Sequence, residues 1–522
     1  MVEVPPLGDP ASGTNLRGVD RRSFLKSVVA GAGAAAVATS PAKGLVNLTT
    51  PVSSRVLPQP TKTPVKTIVV LMMENRSVDH YLGWYGAEVA ARGTGETFDG
   101  ILDASYLDRR PGSPTEGQLV PTEGWGAGTA RNSYHGRGFR DPSHNINGGR
   151  AQANAVASPY GPTSYAMDGW LAANSGTDEF ALSTYGPEDI PVWADIVRTF
   201  GTYDRYFCSF LGNTQPNRWY LLSAQTGGEV YNTLPPERAQ QYPEWTFGYD
   251  WPTIMTLLDA AGVSWATYFS NISNNLFWGP RHLHNTRHIS EYYAAAASGT
   301  LPQVVFLEPW FLNNPEALAN DDHPHADIRL GQEFICDVTQ AFVESPQFAD
   351  GAMFITYDEW GGFWDHVSPP VLPDSQDDPA WERYRPAAID SDDNFVNGFG
   401  QLGMRVPTAV ISPWHVGGVV DHGVYDHVSI LKFIGESFGL PVRTLNPARI
   451  DATQSIEASF DFTRPKVLDV GVQDYTAPLE ARELPDVPPE VDDNPLFVLR
   501  DRGWTDDLGV RTDYALADSF RR

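Results

Sequence analysis

The chain has 522 residues, with 64 Asp and Glu against 37 Lys and Arg, a formal charge of −27. That balance excludes a nucleic-acid binder, which needs clustered Lys and Arg to neutralise phosphates. With 41% hydrophobic and 12% aromatic residues the chain can bury a large core, so wholesale disorder is excluded, and two cysteines, Cys208 and Cys336, exclude a disulfide framework but leave one bridge open.

In chain order, Asp20-Arg21-Arg22-Ser23-Phe24-Leu25-Lys26 precedes an uncharged run of Val, Ala and Gly, Ser27–Ala38, with a small-residue exit at Ala38–Ala42. The run is too short to span roughly 30 Å of hydrocarbon as a helix. The pattern resembles a twin-arginine export signal over residues 1–42, which implies the Tat machinery as partner and a secreted or cell-envelope location. No other uncharged run approaches about eighteen residues, so no transmembrane segment is expected in the mature protein. Residues 43–64, rich in Pro, Thr and Ser, read as a linker. The main domain follows over 65–440, and 441–522 reads as an acidic, Pro-rich extension packing on it, with five prolines and seven acidic residues between Val472 and Pro495.

Within the main domain short apolar runs alternate with helical patterns, which predicts an α/β fold: a mostly parallel sheet with helices on both faces and long loops over the site. The expected strands are Thr67–Met73, Val263–Phe269, Val304–Glu308, Ala352–Tyr357 and Val406–Ser412. Asp327–Val343 and Val428–Phe438 carry apolar residues at helical spacing and read as crossover helices. The stretch from Gly86 to Tyr165 lacks periodicity, carries His144, leads to Met167-Asp168-Gly169, and reads as an active-site covering.

Chemistry gathers at strand ends, where ligands bind in open parallel sheets. Glu74 and Asn75 follow the first expected strand, and Asp358 and Glu359 the fourth. They offer hard oxygen ligands suited to Mg, Ca or Mn, with nearby imidazole allowing Zn or Fe. Adjacent carboxylates at a strand end are costly unless a cation or an arginine offsets them, and a divalent metal of unknown identity is the economical explanation. Thr214 opens the string Thr-Gln-Pro-Asn-Arg at a helix start. A bound cation can deprotonate such a hydroxyl for attack on phosphorus, and Arg218 can hold it in place or offset developing charge. A capping threonine with proline in the first turn is the competing structural reading. Five histidines, His144, His323, His366, His422 and His427, stand in polar settings and can supply a proton donor; His282, His284 and His288 read as loop residues. Phe277-Trp278 and Trp310-Phe311 are candidates for an apolar rim that would meet lipid.

The strings Met73–Gly83, Thr214–Arg218, Asp322–Pro324, Thr356–Val367, Met404–Pro413 and Tyr425–Ile434, in that order, resemble the bacterial phosphoesterase family of non-specific phospholipases C and acid phosphatases. The resemblance covers roughly Lys66 to Leu440 and implies an alkaline-phosphatase-like fold with 65–440 as its catalytic domain. It implies metal ligation by Glu74, Asn75, Asp358 and Glu359, with Thr214 as a nucleophile that becomes phosphorylated. His323 would be general acid or phosphate contact, and His144 would support it. The substrate implied is a small phosphoester or a phospholipid. Where Val78 stands the family often has Phe, and where Trp360 stands it often has His, which removes an imidazole beside the carboxylates. The Gly-Gly-Lys-Met-Asp-Gly segment survives only as Tyr165–Gly169. Sulfatases of the same superfamily need Cys or Ser where Thr214 stands, so phosphate esters are favoured over sulfate esters. The alternative is a catalytically inactive secreted ligand-binding protein that keeps the fold. The acidic body also tilts the expectation toward soluble phosphoesters or zwitterionic lipids over anionic membranes.

Overall fold

The structure, a computed structural model, describes residues 57–136, 138–154, 165–174, 179–238, 248–311, 319–381 and 398–477. The signal-like segment 1–42 and the tail beyond 477 lie outside the described residues. The last residues of the expected linker are held on the domain, where Thr61 N–H donates to Ser437 O at 2.8 Å and Thr63 is buried.

The strands of the main sheet are β1 (Thr67–Met73), β2 (Gly201–Tyr203), β3 (Trp265–Phe269), β4 (Thr286–His288), β5 (Val304–Glu308), β6 (Gly351–Tyr357), β7 (Ala409–Ile411) and β8 (Val419–Asp421). They form one sheet in the order β8-β2-β7-β6-β1-β5-β3-β4. All neighbours pair parallel except β7, which runs antiparallel to both β6 and β2. Every residue of β1 and β6 is buried, as both faces of a parallel sheet must be when helices cover them. This is the expected mostly parallel α/β architecture.

The helices that matter to the site are α1 (Val78–Leu82), α2 (Ile146–Ala153), α3 (Pro191–Thr199), α4 (Thr214–Ser223), α5 (Ile289–Ser298), α6 (Ile328–Val343) and α7 (His427–Phe438). Five of them pack in two groups, α6 with α3 and α5, and α7 with α4. Asp327 caps α6 by accepting from Arg329 N–H at 3.1 Å, and Asp426 and Ser429 form a capping box on α7. Helix α6 crosses from β5 to β6 as expected. Helix α7 follows the last strand of the sheet, so it covers the sheet without joining two of its strands.

The sheet differs from expectation at its margins. Val406–Ser412 shrinks to Ala409–Ile411, because Pro407 lacks an N–H and Pro413 closes the other end. The short strands β2, β4 and β8, three residues each, carry too little pattern to be recognised in the sequence. Cys208 and Cys336 are both buried and not joined by a disulfide, so the bridge left open does not form.

Candidate active site

The carboxyl ends of β1 and β6 lie side by side, and the chain continues their ladder for one more rung, with Asp358 N–H donating to Met73 O at 3.1 Å. Asn75 leaves that rung at φ 64°, a left-handed backbone that asparagine tolerates better than most residues. The turn aims the Asn75 N–H at Asp358 Oδ1, 3.1 Å away. Behind it, Gly361 presses on the Asn75 carbonyl so closely that a Cβ would come within 2.2 Å, and Gly361 itself sits at φ 63°. A Gly361→Ala variant should therefore lose about 1–3 kcal/mol in urea denaturation; a wild-type midpoint would refute this account of the turn.

Glu74, Asn75, Asp358 and Glu359 are all fully buried. Arg218 reaches into them from the second turn of α4, donating through Nε to Asp358 Oδ2 at 3.0 Å and lying 3.4 Å from Glu74 Oε1. Its Nη1 and Nη2 donate to the carbonyls of Met72 and Met73 at 3.3 and 3.0 Å, and its plane stacks over Phe311. An arginine thus meets part of the charge that the sequence assigned to a metal alone. Glu359 is left out of this fork. Burial, reinforced by Asp358, pushes its carboxyl well above the usual range, although His144 pulls the other way. Burial likewise raises Asp358, against the pull of Arg218.

Thr214 is the first residue of α4, preceded by the N-cap Asn213. It is 5% exposed, and its Oγ1 lies 3.5 Å from Asn75 Oδ1. The loop before it is pinned by Asn217, whose Oδ1 accepts from Phe210 N–H at 2.8 Å while Nδ2 donates to the carbonyls of Phe210, Gly212 and Asn213. The hydroxyl is therefore positioned from both sides: by the clamped loop and by the helix whose arginine grips the carboxylates. The N-terminus of α4 faces the same space, a favourable place for an anion.

His323 and His144 arrive from loops. Asp321 Oδ1 accepts from His323 N–H at 3.0 Å, and Arg76 fixes the same turn by donating to Asp322 O at 2.7 Å and His323 O at 3.3 Å. Burial, with His144 and His325 adding to it, pushes His323 well below its ordinary value, so the ring is neutral at physiological pH. Its Nε2 lies 3.8 Å from Asp141 Oδ2, and His144 Nε2 lies 3.8 Å from Glu359 Oε1. Asp141, His144 and His323 form one of two groups among the described residues whose ligand atoms lie within 4.8 Å of one another. The other group, Asp79, Asp365 and His366, already holds a cation, since the buried Arg405 pairs with Asp365 at 2.9 Å and Asp79 at 3.4 Å.

All eight site residues expected from the sequence thus converge. The remaining histidines part company. His366 donates to Asp79 Oδ2 at 2.6 Å and Asp99 Oδ1 at 3.0 Å; burial opposes its charge, but these partners raise it to about 9, and it serves the Arg405 cluster. His422 pairs with Asp204 at 2.9 Å. His427, lowered to about 4 chiefly by burial, donates through Nε2 to Asp358 O at 2.7 Å and so holds the backbone of that carboxylate. His282 is buried in the core, not placed in an open loop. Phe277, Trp278 and Phe311 are buried too, which removes them from the expected apolar rim. Asp168 bonds Arg109 and Asn154. Asp141, Asn217 and Arg76 escaped the sequence reading of the site, although Asn217 and Arg76 stand directly beside the recognised Arg218 and Asn75; His427, expected as a proton donor, binds a backbone carbonyl instead.

The site brings together a buried hydroxyl at a helix start, a carboxylate cluster, an arginine and two imidazoles, a set whose chemistry suits displacement at an anionic ester. The phosphoesterase family profile matches residues 65–441. Non-specific phospholipase C6 of Arabidopsis thaliana is 30% identical over 411 residues, spanning 73% of this chain and 69% of that protein. Phospholipase C B of Mycobacterium tuberculosis is 29% identical over 441 residues, spanning 77% and 79%. A crystal structure of a protein in the alkaline phosphatase superfamily from Vibrio parahaemolyticus overlaps at a TM-score of 0.30 and 9% identity, covering 62% of this chain and 83% of that one; at that score the fold rests on the sheet itself. The chain is a phosphoric ester hydrolase. It belongs to the phosphoesterase family.

Proposed function

We propose that this hydrolase acts outside the cytoplasm as a phospholipase C-type enzyme, with Thr214 as nucleophile and a divalent cation beside it. The observation that carries this reading is the placement of Thr214 Oγ1 at the start of α4, 3.5 Å from Asn75 Oδ1 and one turn before the arginine that binds Asp358. Export is supported by the twin-arginine pattern at 20–26, and no described helix is long and apolar enough to cross a membrane. The phospholipase C assignment draws on the names of both relatives above.

The donor set fits a divalent cation. Glu74, Asn75, Asp358 and Glu359 would hold it, because several buried carboxyl groups face one guanidinium, and Glu359 Oε1 accepts no hydrogen bond among the described residues. A bound cation would supply positive charge that favours the alkoxide of Thr214. Arg218 keeps Asp358 and Glu74 in place while the Thr214 oxygen, its proton passed to water, attacks phosphorus in line with the leaving oxygen; the bond from phosphorus to that oxygen breaks, and the alcohol departs after taking a proton from water. The threonine then carries the phosphoryl group until water removes it. His323, neutral and buried, contacts the phosphate through its N–H more readily than it acts as an imidazolium acid.

The test is a substrate panel of p-nitrophenyl phosphate, p-nitrophenylphosphorylcholine and phosphatidylcholine vesicles, with chelator and with a divalent cation restored. Turnover should vanish on chelation and return with the cation, and diacylglycerol should appear from the vesicles. Full turnover in chelator would overturn the cation. Hydrolysis confined to the soluble esters would select the acid-phosphatase reading, which the burial of Phe277, Trp278 and Phe311 favours.

A further inference from the structure

Helix α4 begins without the cap that its sequence offers. Asn213 has the chemistry that caps a helix best, yet its side chain makes no cap bond. The reason is local. A cap accepts from the second or third helical N–H; here the third residue, Pro216, has none, and Gln215 N–H donates to Asn232 Oδ1 at 2.9 Å. Asn217 N–H donates to Asn213 O at 3.4 Å, which leaves the Thr214 N–H as the one donor of the first turn that meets no acceptor among the described residues.

Gln215 is the unexplained member of this turn. Its side chain is fully buried, and neither Oε1 nor Nε2 meets a hydrogen-bond partner among the described residues. Asn217, two residues on, has its amide engaged at both ends. A dry amide that is open at both ends destabilises a fold, and a ligand is one thing that would account for it. The direction of the amide follows from its place. Side chains on a helix lean toward its N-terminus, so one in the first turn leans past the helix end. Gln215 also stands three residues before Arg218, on the flank of α4 that turns to the carboxylates. It therefore borders the space in which an anionic ester would meet Thr214 Oγ1.

In-line attack decides which part of the ester lies there. The leaving oxygen departs on the side of phosphorus away from Thr214, so the residue beside the nucleophile borders the non-bridging oxygens and the group that stays on phosphorus. In a phospholipase C reaction that group is the head group. We propose that Gln215 is a substrate contact that reads it: Nε2–H donates to a non-bridging oxygen of the phosphoryl group, and Oε1 accepts from a head group that carries an N–H or O–H. Ethanolamine is then favoured over choline, whose trimethylammonium has no proton to donate. The proposal rests on Thr214 as nucleophile and on the phospholipase C reading above.

The test compares p-nitrophenylphosphorylethanolamine with p-nitrophenylphosphorylcholine on the full chain with a divalent cation supplied. Wild type should show kcat/KM about tenfold or more higher for the ethanolamine ester. Gln215→Met, similar in size, should erase that preference, lower kcat/KM on both esters and weaken inhibition by inorganic phosphate about tenfold. Its thermal midpoint should equal or exceed that of wild type, because no partner within the fold is lost, whereas a merely structural glutamine would lower it. A Gln215→Met chain that keeps the preference or the phosphate inhibition, or that melts earlier, would overturn the proposal, as would a wild type without the preference; each leaves the nucleophile reading standing. Turnover that survives Thr214→Ala would overturn both. An enzyme that cleaves only phosphomonoesters would overturn the head-group contact together with the phospholipase C reading.

Discussion

A Thr214→Ala chain is expected to lose turnover on p-nitrophenylphosphorylcholine by about 10⁴-fold or more, the scale seen when a covalent nucleophile is removed. It should do so with unchanged thermal stability. Thr214 does not cap α4, since Asn213 occupies that position, and its hydroxyl makes a single long contact of 3.5 Å to Asn75. The capping reading of this threonine therefore predicts a stability loss that the structure gives no reason to expect. Wild type quenched during turnover should carry phosphate on Thr214, detectable by mass spectrometry. Residual activity above one per cent in the alanine variant would point to another nucleophile.

The largest effect on stability should come from Arg218→Met. The side chain is similar in size, but the substitution strands Asp358 and Glu74 as buried carboxylates without their guanidinium. Breaking a buried pair in this way costs about 3–5 kcal/mol. Burial works against the Arg218 charge, yet Asp358 and Glu74 hold the arginine above its ordinary value, so the pairing outweighs desolvation on the arginine's side. Arg218→Lys should recover little, because an ammonium cannot reach Asp358, Met72 O and Met73 O in one planar fork. Urea denaturation of both variants measures this directly; a midpoint within error of wild type would show that the arginine is dispensable to the fold.

What the sequence disclosed and what it concealed divide along physical lines. β1 and β5 were readable to the residue, because runs of six and four consecutive apolar residues bounded by polar ones leave little choice of element. The antiparallel run of β7 was not, since direction is set by the connection, which leaves no mark on an apolar triplet. Glu74, Asn75, Asp358 and Glu359 were legible as polar residues at strand ends. Asn217 and Arg76 were hidden, and His427 was legible as a polar histidine but not in its actual part, because all three act on backbone carbonyls or amides, and a backbone partner has no sequence signature. Phe277 and Trp278 show the reverse error: apolarity says that a side chain avoids water, not whether a core or a lipid receives it.

The hydrogen bond that joins Asn75 N–H to the Asp358 side chain spans a sequence separation of 283 residues. Chain closure over such a distance comes late in folding, after local helices have formed. While the chain is being made, the proposed nucleophile at 214 exists long before the carboxylates at 358 and 359 that complete its surroundings. A nascent or truncated chain therefore carries the threonine without the means to use it, and hydrolytic competence arrives in a single late event. For a protein that meets phosphate esters from the moment its first strand leaves the ribosome, the order of synthesis is itself a safeguard.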